Sequence, residues 1–260
     1  MRAGLYDIIR TFSRPSLIFF MAWSDVRARY KRSVLGPLWI TLSTAFGVVG
    51  LGFVWSALFH LERRTYIPTL TIGLILWQFI SGTIIESSSV FIRQTGLIKN
   101  LDLPISLHAA QLVLRQFINF AHNIPLYFVV VLVLGSPLNW NCLWAIPALA
   151  LLIMNLFWIV LLIGVLGTRF RDLEYLISTA MPLLMFFSPV MYSPENLPAT
   201  TAKFIWFNPV AHLIEIVRYP LLGKIPPDFI IASNLALLII GGSITLFAFN
   251  RKRNRIALWL

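Results

Sequence analysis

Ionisable side chains lie inside two consecutive apolar stretches of this sequence, where charge is costly. Glu86 lies near the end of one stretch, and Arg115 lies near the beginning of the next. If the two stretches form antiparallel helices, these residues reach a similar depth. They would then line a polar path, form a structural ion pair, or extend separately to the membrane interface. The residues alone leave these alternatives open.

Other polar side chains lie at helical spacing from each of these residues, so that each stretch has one polar face. Two polar faces in an apolar chain indicate a hydrated conduit or tight contacts between helices. We predict a conduit, and the residues predicted to line it are Gln78, Glu86, Arg115, Asn119 and His122.

No catalytic constellation is present in the sequence. A G-x-x-x-x-G-K-[ST] motif is absent, so the chain is not expected to bind ATP through a P-loop. The four histidines lack the spacing of metal ligands, and Cys142 is the single cysteine. We therefore predict no catalytic residue, no metal site and no cofactor in this chain.

Cations and aromatic rings alternate in the segment that precedes the first long apolar run. Arginine binds phosphate through a planar fork and lysine through a point charge, while rings can contact sugar or acyl chains. Juxtamembrane basic clusters are also ordinary topology anchors. We predict that the segment is both an anchor and a substrate entrance. Its residues are Trp23, Arg27, Arg29, Tyr30, Lys31 and Arg32.

The composition indicates a polytopic membrane protein. Of 260 residues, 58% are hydrophobic and 12% are charged, and the mean hydropathy is +0.80. The net charge of +11 lies between apolar runs, which argues against nucleic acid as a partner. Six stretches are long enough to cross a bilayer. They are residues 36–59, 67–92, 112–135, 143–167, 173–192 and 229–250.

Basic residues are concentrated before the first span, in two loops and in the tail. The positive-inside rule then places both termini in the cytoplasm. A further long apolar stretch, Phe204–Leu222, contains His212, Glu215 and Arg218 and begins after an Asn208-Pro209 N-cap signal. We predict an amphipathic helix that lies in the outer interface or dips into it.

Three segments carry a resemblance to a known family: "DVRARYKRSVLGPLWITL", "TGLIKNLDLP" and "FNPVAHLIEIVRYPLLG". In this order they resemble the membrane subunit of bacterial ABC-2 type exporters. The polysaccharide branch, which exports O-antigen, capsule or teichoic acid, is the most similar. The resemblance covers essentially the whole chain and implies an inner-membrane protein.

The resemblance implies that two copies of the chain form a channel and that two copies of a separate ATPase supply ATP and magnesium. A lipid-linked polysaccharide would be the substrate, in contact with membrane lipids. Segment 96–103 would be the coupling helix to the ATPase. Its residues are Gly96, Leu97, Ile98, Lys99, Asn100, Leu101 and Asp102. The segment between spans five and six would gate the outer end. The predicted gate residues are Phe187, Tyr192, Trp206, Phe207, Asn208 and Pro209.

The expected architecture is a single all-α membrane domain over residues 1–260. An interface helix would occupy residues 1–33, and spans one to five residues 34–192. The gate segment would cover residues 193–227, and the last span with its basic tail residues 228–260.

Two alternatives for the function stay open. One is an ABC-2 exporter of a small drug or lipid. The other is a membrane-embedded transferase, which the lack of clustered acids disfavours.

Overall fold

The computed structural model describes residues 2–31, 33–36, 38–137 and 139–260, and those residues contain helices and turns but no strand. The all-helical architecture expected from the sequence is thus confirmed. Three short 3-10 helices lie at Ile92–Gln94, Trp140–Trp144 and Pro194–Asn196. The α-helices are α1 (Arg2–Phe12), α2 (Pro15–Tyr30), α3 (Leu38–Leu58), α4 (Arg63–Ser87), α5 (Thr95–Asn100), α6 (Ser106–Leu134), α7 (Ala145–Arg169), α8 (Leu173–Phe187), α9 (Ala199–Trp206), α10 (Pro209–Leu221) and α11 (Asp228–Trp259).

Five helices in the described part of the chain are long and apolar enough to cross a membrane. They are α3, α4, α6, α7 with the 3-10 turn before it, and α11. Helix α8 is apolar but has 15 residues, fewer than the ~20 that a straight crossing needs. It ends at Phe187 because the backbone of Ser188 is extended. The fifth of the six expected spans, over residues 173–192, therefore stays a prediction.

Helix α4 is the centre of the bundle. It contacts α3, α6, α7, α8 and α10, and 72% of the residues in its 18-residue apolar stretch are buried. Two close approaches depend on glycine: a Cβ at Gly167 would collide with the carbonyl oxygen of Ser88, and one at Gly73 with that of Val190. Gly167 therefore lets α7 contact the C-terminal end of α4, and Gly73 lets the loop after α8 contact the middle of α4.

Helices α1 and α2 pack on the side of the bundle formed by α6, α7 and α11. Ile18, Ala22 and Val26 recur every fourth residue on α2 and form its buried stripe against α6. Helix α1 contacts α11 and α6, and α11 packs along α7. The N-terminal segment is therefore part of the folded bundle.

Helix α10 corrects one expectation from the sequence. Its residues from Val210 to Leu221 are all buried, including His212, Glu215 and Arg218. A helix lying on the membrane surface would expose its polar face, so the surface-lying form of the prediction is wrong for this segment, and the form in which the helix dips into the membrane stays a prediction. The helix instead lies between α4, α7 and α11, with the polar residues inside the protein.

Candidate functional site

A cluster of ionised side chains joins α2, α4 and α6. The carboxylate of Glu86 accepts a hydrogen bond from Arg115 Nη2 and another, of 3.0 Å, from Gln116 Nε2. Arg29 on α2 and Arg93 after α4 approach the same carboxylate at 3.3 and 3.6 Å. The similar depth inferred for Glu86 and Arg115 thus brings the two into an ion pair, within a larger network.

Asp25 connects α2 to this network and was missed in the sequence analysis. Its Oδ2 accepts hydrogen bonds from Gln111 Nε2 at 2.8 Å and from Arg115 Nη1 at 3.2 Å. Asp25 is the single acidic residue in the otherwise basic α2. That isolated charge was the signal in the sequence. The cluster contains three guanidinium groups and, with Glu174 at 3.8 Å from Arg93, three carboxylates, so its formal charges balance.

The space inside the cluster suits water and not a sugar. Asp25, Glu86, His108 and Arg115 line a cavity of about 20 Å³, and a single water needs roughly 10–15 Å³. Arg115 Nε and His108 Nε2 are buried without a hydrogen-bond partner in the described residues. Arg115 Nε can donate to such a water, and His108 Nε2 can donate or accept according to its tautomer. Within one chain the cluster joins helices and leaves no room for a polymer.

The other predicted conduit residues form a hydrogen-bonded seam between α3, α4 and α6. Gln78 bonds to Thr44 on α3 and to Asn123 on α6 at 3.0 Å each. Asn119 Nδ2 donates to Gln116 Oε1 at 3.0 Å, and His122 Nδ1 lies 2.8 Å from a carbonyl on its own helix. Gln78 is itself exposed, as a residue of a channel wall would be. The role of the seam as a channel wall stays a prediction.

The predicted entrance occupies the outer face of α2. Trp23 is 47% exposed and stacks on Phe19 with 6.2 Å between ring centroids. Arg27 and Lys31 are exposed and form no ion pair with any described residue, whereas Arg29 turns toward Glu86. Tyr30 is half-buried. Arg32 lies outside the described residues. The face therefore presents rings and free cations together.

The predicted coupling segment is shorter as a helix than expected. Helix α5 covers Thr95–Asn100, and the backbone is extended at Leu101, so Leu101 and Asp102 follow the helix. Pro104, two residues before α6 begins, is incompatible with continued helix at this point. Leu101 is 51% exposed, while Leu97 and Ile98 are half-buried, Ile98 against the main core. Gly96, Lys99 and Asn100 are exposed, and a Cβ added at Gly96 would have no heavy atom within 4 Å.

A second cluster, also missed from the sequence, fixes α1 to this segment. The buried carboxylate of Asp7 accepts hydrogen bonds from the backbone N–H groups of Ile105 and Ser106 at 3.1 and 2.9 Å, which caps α6. Arg253 of the tail donates to the same carboxylate at 2.7 Å. Nearby, a hydrogen bond from Arg10 holds the pKa of Asp102 below its usual value. The N-terminus, the predicted coupling segment and the tail therefore form one unit.

The predicted gate residues begin at Phe187, the last residue of α8, and surround the start of α10. The Asn208 side chain accepts from Val210 N–H at 2.9 Å, which confirms the N-cap, and donates to Ser188 Oγ at 2.8 Å. Pro209 is the first residue of α10. Trp206 packs edge-on to Phe229, with 5.0 Å between the ring centroids. Two rings are strongly exposed and Tyr192 is half-buried. The exposed rings are Phe187 and Phe207.

A buried ion pair fastens the gate segment to α10. Glu215 and Arg218 bond to each other, and both side chains are 2% exposed. Arg218 also donates to the carbonyl oxygens of Pro189 at 2.5 Å and Tyr192 at 3.2 Å. Beyond it, Lys224 contacts Glu195 at 2.5 Å. Partial burial raises the pKa of Glu195, but the hydrogen bonds from Lys224 and Tyr219 and the nearby positive charges together outweigh it, so the net shift of this pKa is downward.

Comparison with known proteins places these sites in context. The family model of the ABC-2 type transporters matches residues 16–222. The O-antigen export system permease protein RfbA of Klebsiella pneumoniae is 27% identical over 199 residues, 76% of this chain and 77% of that protein. RfbA of Myxococcus xanthus is 24% identical over 206 residues, with the same coverage. The polysialic acid transport protein KpsM of Escherichia coli is 23% identical, over 75% of this chain and 76% of that protein.

Proposed function

This chain belongs to the ABC-2 type transporter family, and we propose that it is the membrane subunit of a polysaccharide exporter in the bacterial inner membrane. The cargo would be a polysaccharide or lipid-linked glycan, with O-antigen as the substrate class. One observation carries the proposal. The family match runs from α2 to the end of α10, and the relatives are named for export of such polymers.

Energy would come from a separate ATPase, present in two copies, that holds ATP and magnesium. The chain has no P-loop of its own. The segment that would transmit the motion is residues 96–103. Its tie to α1 and to the tail through Asp7, Arg10 and Arg253 supports this role. A displacement at α5 would reach α6 and α11 together.

The conduit would form between two copies of the chain. The ion-pair cluster inside one copy has space for about one water. Helices α3 and α8 would contact the second copy, because they are the least buried. Only 17% of the residues in the 18-residue apolar stretch of α3 are buried, and Met181 is the one buried residue of α8. In this arrangement α8 is the fifth of six spans, and both termini are cytoplasmic. Residues 193–227 then form the outer gate.

The function is tested by deleting the gene and analysing glycans. We expect surface polysaccharide to disappear and its lipid-linked form to accumulate on the inner side of the membrane. A plasmid copy should restore export. Unchanged surface glycan together with altered drug efflux would contradict the proposal and favour the small-molecule alternative.

The entrance is tested by replacing Arg27, Arg29 and Arg32 together with lysine. The charge is conserved, so membrane topology should not change. Loss of the bidentate guanidinium geometry should lower surface glycan by roughly tenfold and leave lipid-linked glycan inside. Single Arg27→Lys and Arg29→Lys variants show whether the loss of export comes from Arg27, which forms no ion pair with a described residue, or from Arg29, which contacts Glu86. Wild-type export in the triple variant would favour a simple anchor.

The ATPase contact is tested by Leu97→Asp combined with Leu101→Asp. Charged side chains should disrupt an apolar contact, and recovery of the ATPase with the purified chain should fall by about tenfold or more. Leu101→Asp alone is included because Leu97 is half-buried. Leu258→Asp is the control, since it changes an 83% exposed leucine in the tail. Undiminished recovery with correct membrane insertion would place the contact elsewhere.

A further inference from the structure

An apolar groove lies between the N-terminal helices and the bundle. Its volume is about 540 Å³, and it is open on one side. Helices α1 and α2 form one wall, and α6, α7 and α11 form the other. An open apolar surface of this size is covered by an apolar molecule when the protein lies in a bilayer, because leaving it to water costs free energy.

The wall offers that occupant no hydrogen bonds. Of the described residues that line the groove, two have a nitrogen or oxygen atom in their side chain, Trp158 and Thr245. Trp158 Nε1 donates to Asn155 at 3.0 Å, and Thr245 Oγ1 donates to the carbonyl of Trp158 at 3.4 Å. A sugar would lose its hydrogen bonds with water here and gain none. The chemistry selects a hydrocarbon chain.

A glycine keeps the groove open. Gly242 lies on the wall in the middle of α11, and a Cβ at this position would have no heavy atom within 4 Å. The part of the wall that α1 forms is its apolar face, where Leu5, Ile8 and Phe12 follow helical spacing. Phe12 packs edge-on to Phe157 of α7, with 5.2 Å between the ring centroids. The groove thus lies directly beneath the elbow between α1 and α2.

The elbow supplies positive charge. Arg14 lies between Phe12 and Pro15, which both line the groove, and it is exposed. It forms no ion pair with any described residue, whereas Arg10, one turn away, is paired with Asp102. Basic positions above an apolar intramembrane groove complement the phosphate of an anionic lipid.

We infer that this groove binds an acyl chain of an anionic phospholipid, with Arg14 at its headgroup. The bound chain would fill the space between α1, α2 and the bundle and so hold the N-terminal helices against α6 and α11. The inference requires only that the protein lies in a bilayer. It is therefore independent of the cargo and of the ATPase.

Native mass spectrometry of the purified chain, titrated with phosphatidylglycerol or phosphatidylcholine, tests the inference. We expect one tightly held phosphatidylglycerol per chain. Gly242→Phe should weaken its binding by about tenfold or more, because the ring displaces several methylenes. Ile239→Phe is the matched control, since it adds a ring at a 66% exposed position of the same helix outside the groove. Arg14→Gln should weaken phosphatidylglycerol by about fivefold and leave phosphatidylcholine unchanged.

Three results would overturn the inference. They are equal phosphatidylglycerol binding by Gly242→Phe and the control, equal binding of the two lipids by the unmodified chain, and preferential binding of a polyprenyl phosphate that displaces phosphatidylglycerol. The last result would make the groove a site for the cargo's lipid tail. Gly242→Leu, a smaller filling of the same space, is used if the phenylalanine variant elutes as aggregate in size-exclusion chromatography.

Discussion

Arg218→Met is expected to destabilise the protein by about 3–5 kcal/mol, the range for removing one partner of a buried ion pair. Glu215 would remain as an unpaired carboxylate at 2% exposure. The carbonyl oxygens of Pro189 and Tyr192 would lose their donor at the same time. Thermal melting of the purified protein, followed by size-exclusion chromatography after heating, should show a large fall in the midpoint or no recoverable monodisperse protein.

A second variant separates charge burial from general damage. Glu215→Leu combined with Arg218→Met removes both charges, so it should be more stable than Arg218→Met alone. Recovery should be incomplete, because the two carbonyls still lack a donor. Lys224→Met is the control: its pair with Glu195 is about half exposed, and the loss should be less than about 1 kcal/mol. Equal stability of Arg218→Met and Lys224→Met would show that the buried pair contributes little.

Local sequence signals predicted some of this architecture because their physics is local. Asn208 and Pro209 act within one turn of the helix that they begin, and the N-cap forms as predicted. The depths of Glu86 and Arg115 follow from counting residues along two antiparallel helices, and the ion pair forms. Helix α5 likewise falls in its predicted segment, and extended backbone stops it at Leu101.

Long-range contacts determine what the sequence analysis missed. Glu215 and Arg218 lie off the apolar stripe of α10, which is typical of a surface helix. Their burial depends on the loop after α8, which supplies carbonyl acceptors 26 and 29 residues away from Arg218. Asp7 caps a helix that begins 99 residues later. No periodicity in either segment indicates such a partner.

The Glu86 carboxylate faces more positive charge than its partner Arg115 alone supplies. Arg29 and Arg93 approach it as well. Exchanging Glu86 and Arg115 would therefore place an arginine beside two others, so the exchange should not restore function. Removing both charges is the more informative rescue, because Arg29 and Arg93 are 44% and 53% exposed and can be hydrated.

Glu86→Gln is expected to cost about 2–3 kcal/mol and to reduce surface glycan in proportion to the loss of folded protein. The cost is lower than for a fully buried pair because Arg115 and Glu86 remain 15% and 17% exposed. The measurements are the thermal midpoint of the purified protein and export in the deletion strain. Asp102→Asn is the matched carboxylate-to-amide control at an exposed pair, and it should leave the midpoint nearly unchanged.

Glu86→Gln with Arg115→Met should then melt above Glu86→Gln alone, because it removes a partly buried guanidinium that would keep only Asp25 as an acidic partner and would lie beside Arg29 and Arg93. Asp25 would still bond to Gln111, so α2 would remain attached to α6. If the double variant folds but does not export, the charges contribute to transport beyond holding helices together. If Glu86→Gln alone melts and exports like the unmodified protein, the cluster stabilises neither the fold nor the transport path.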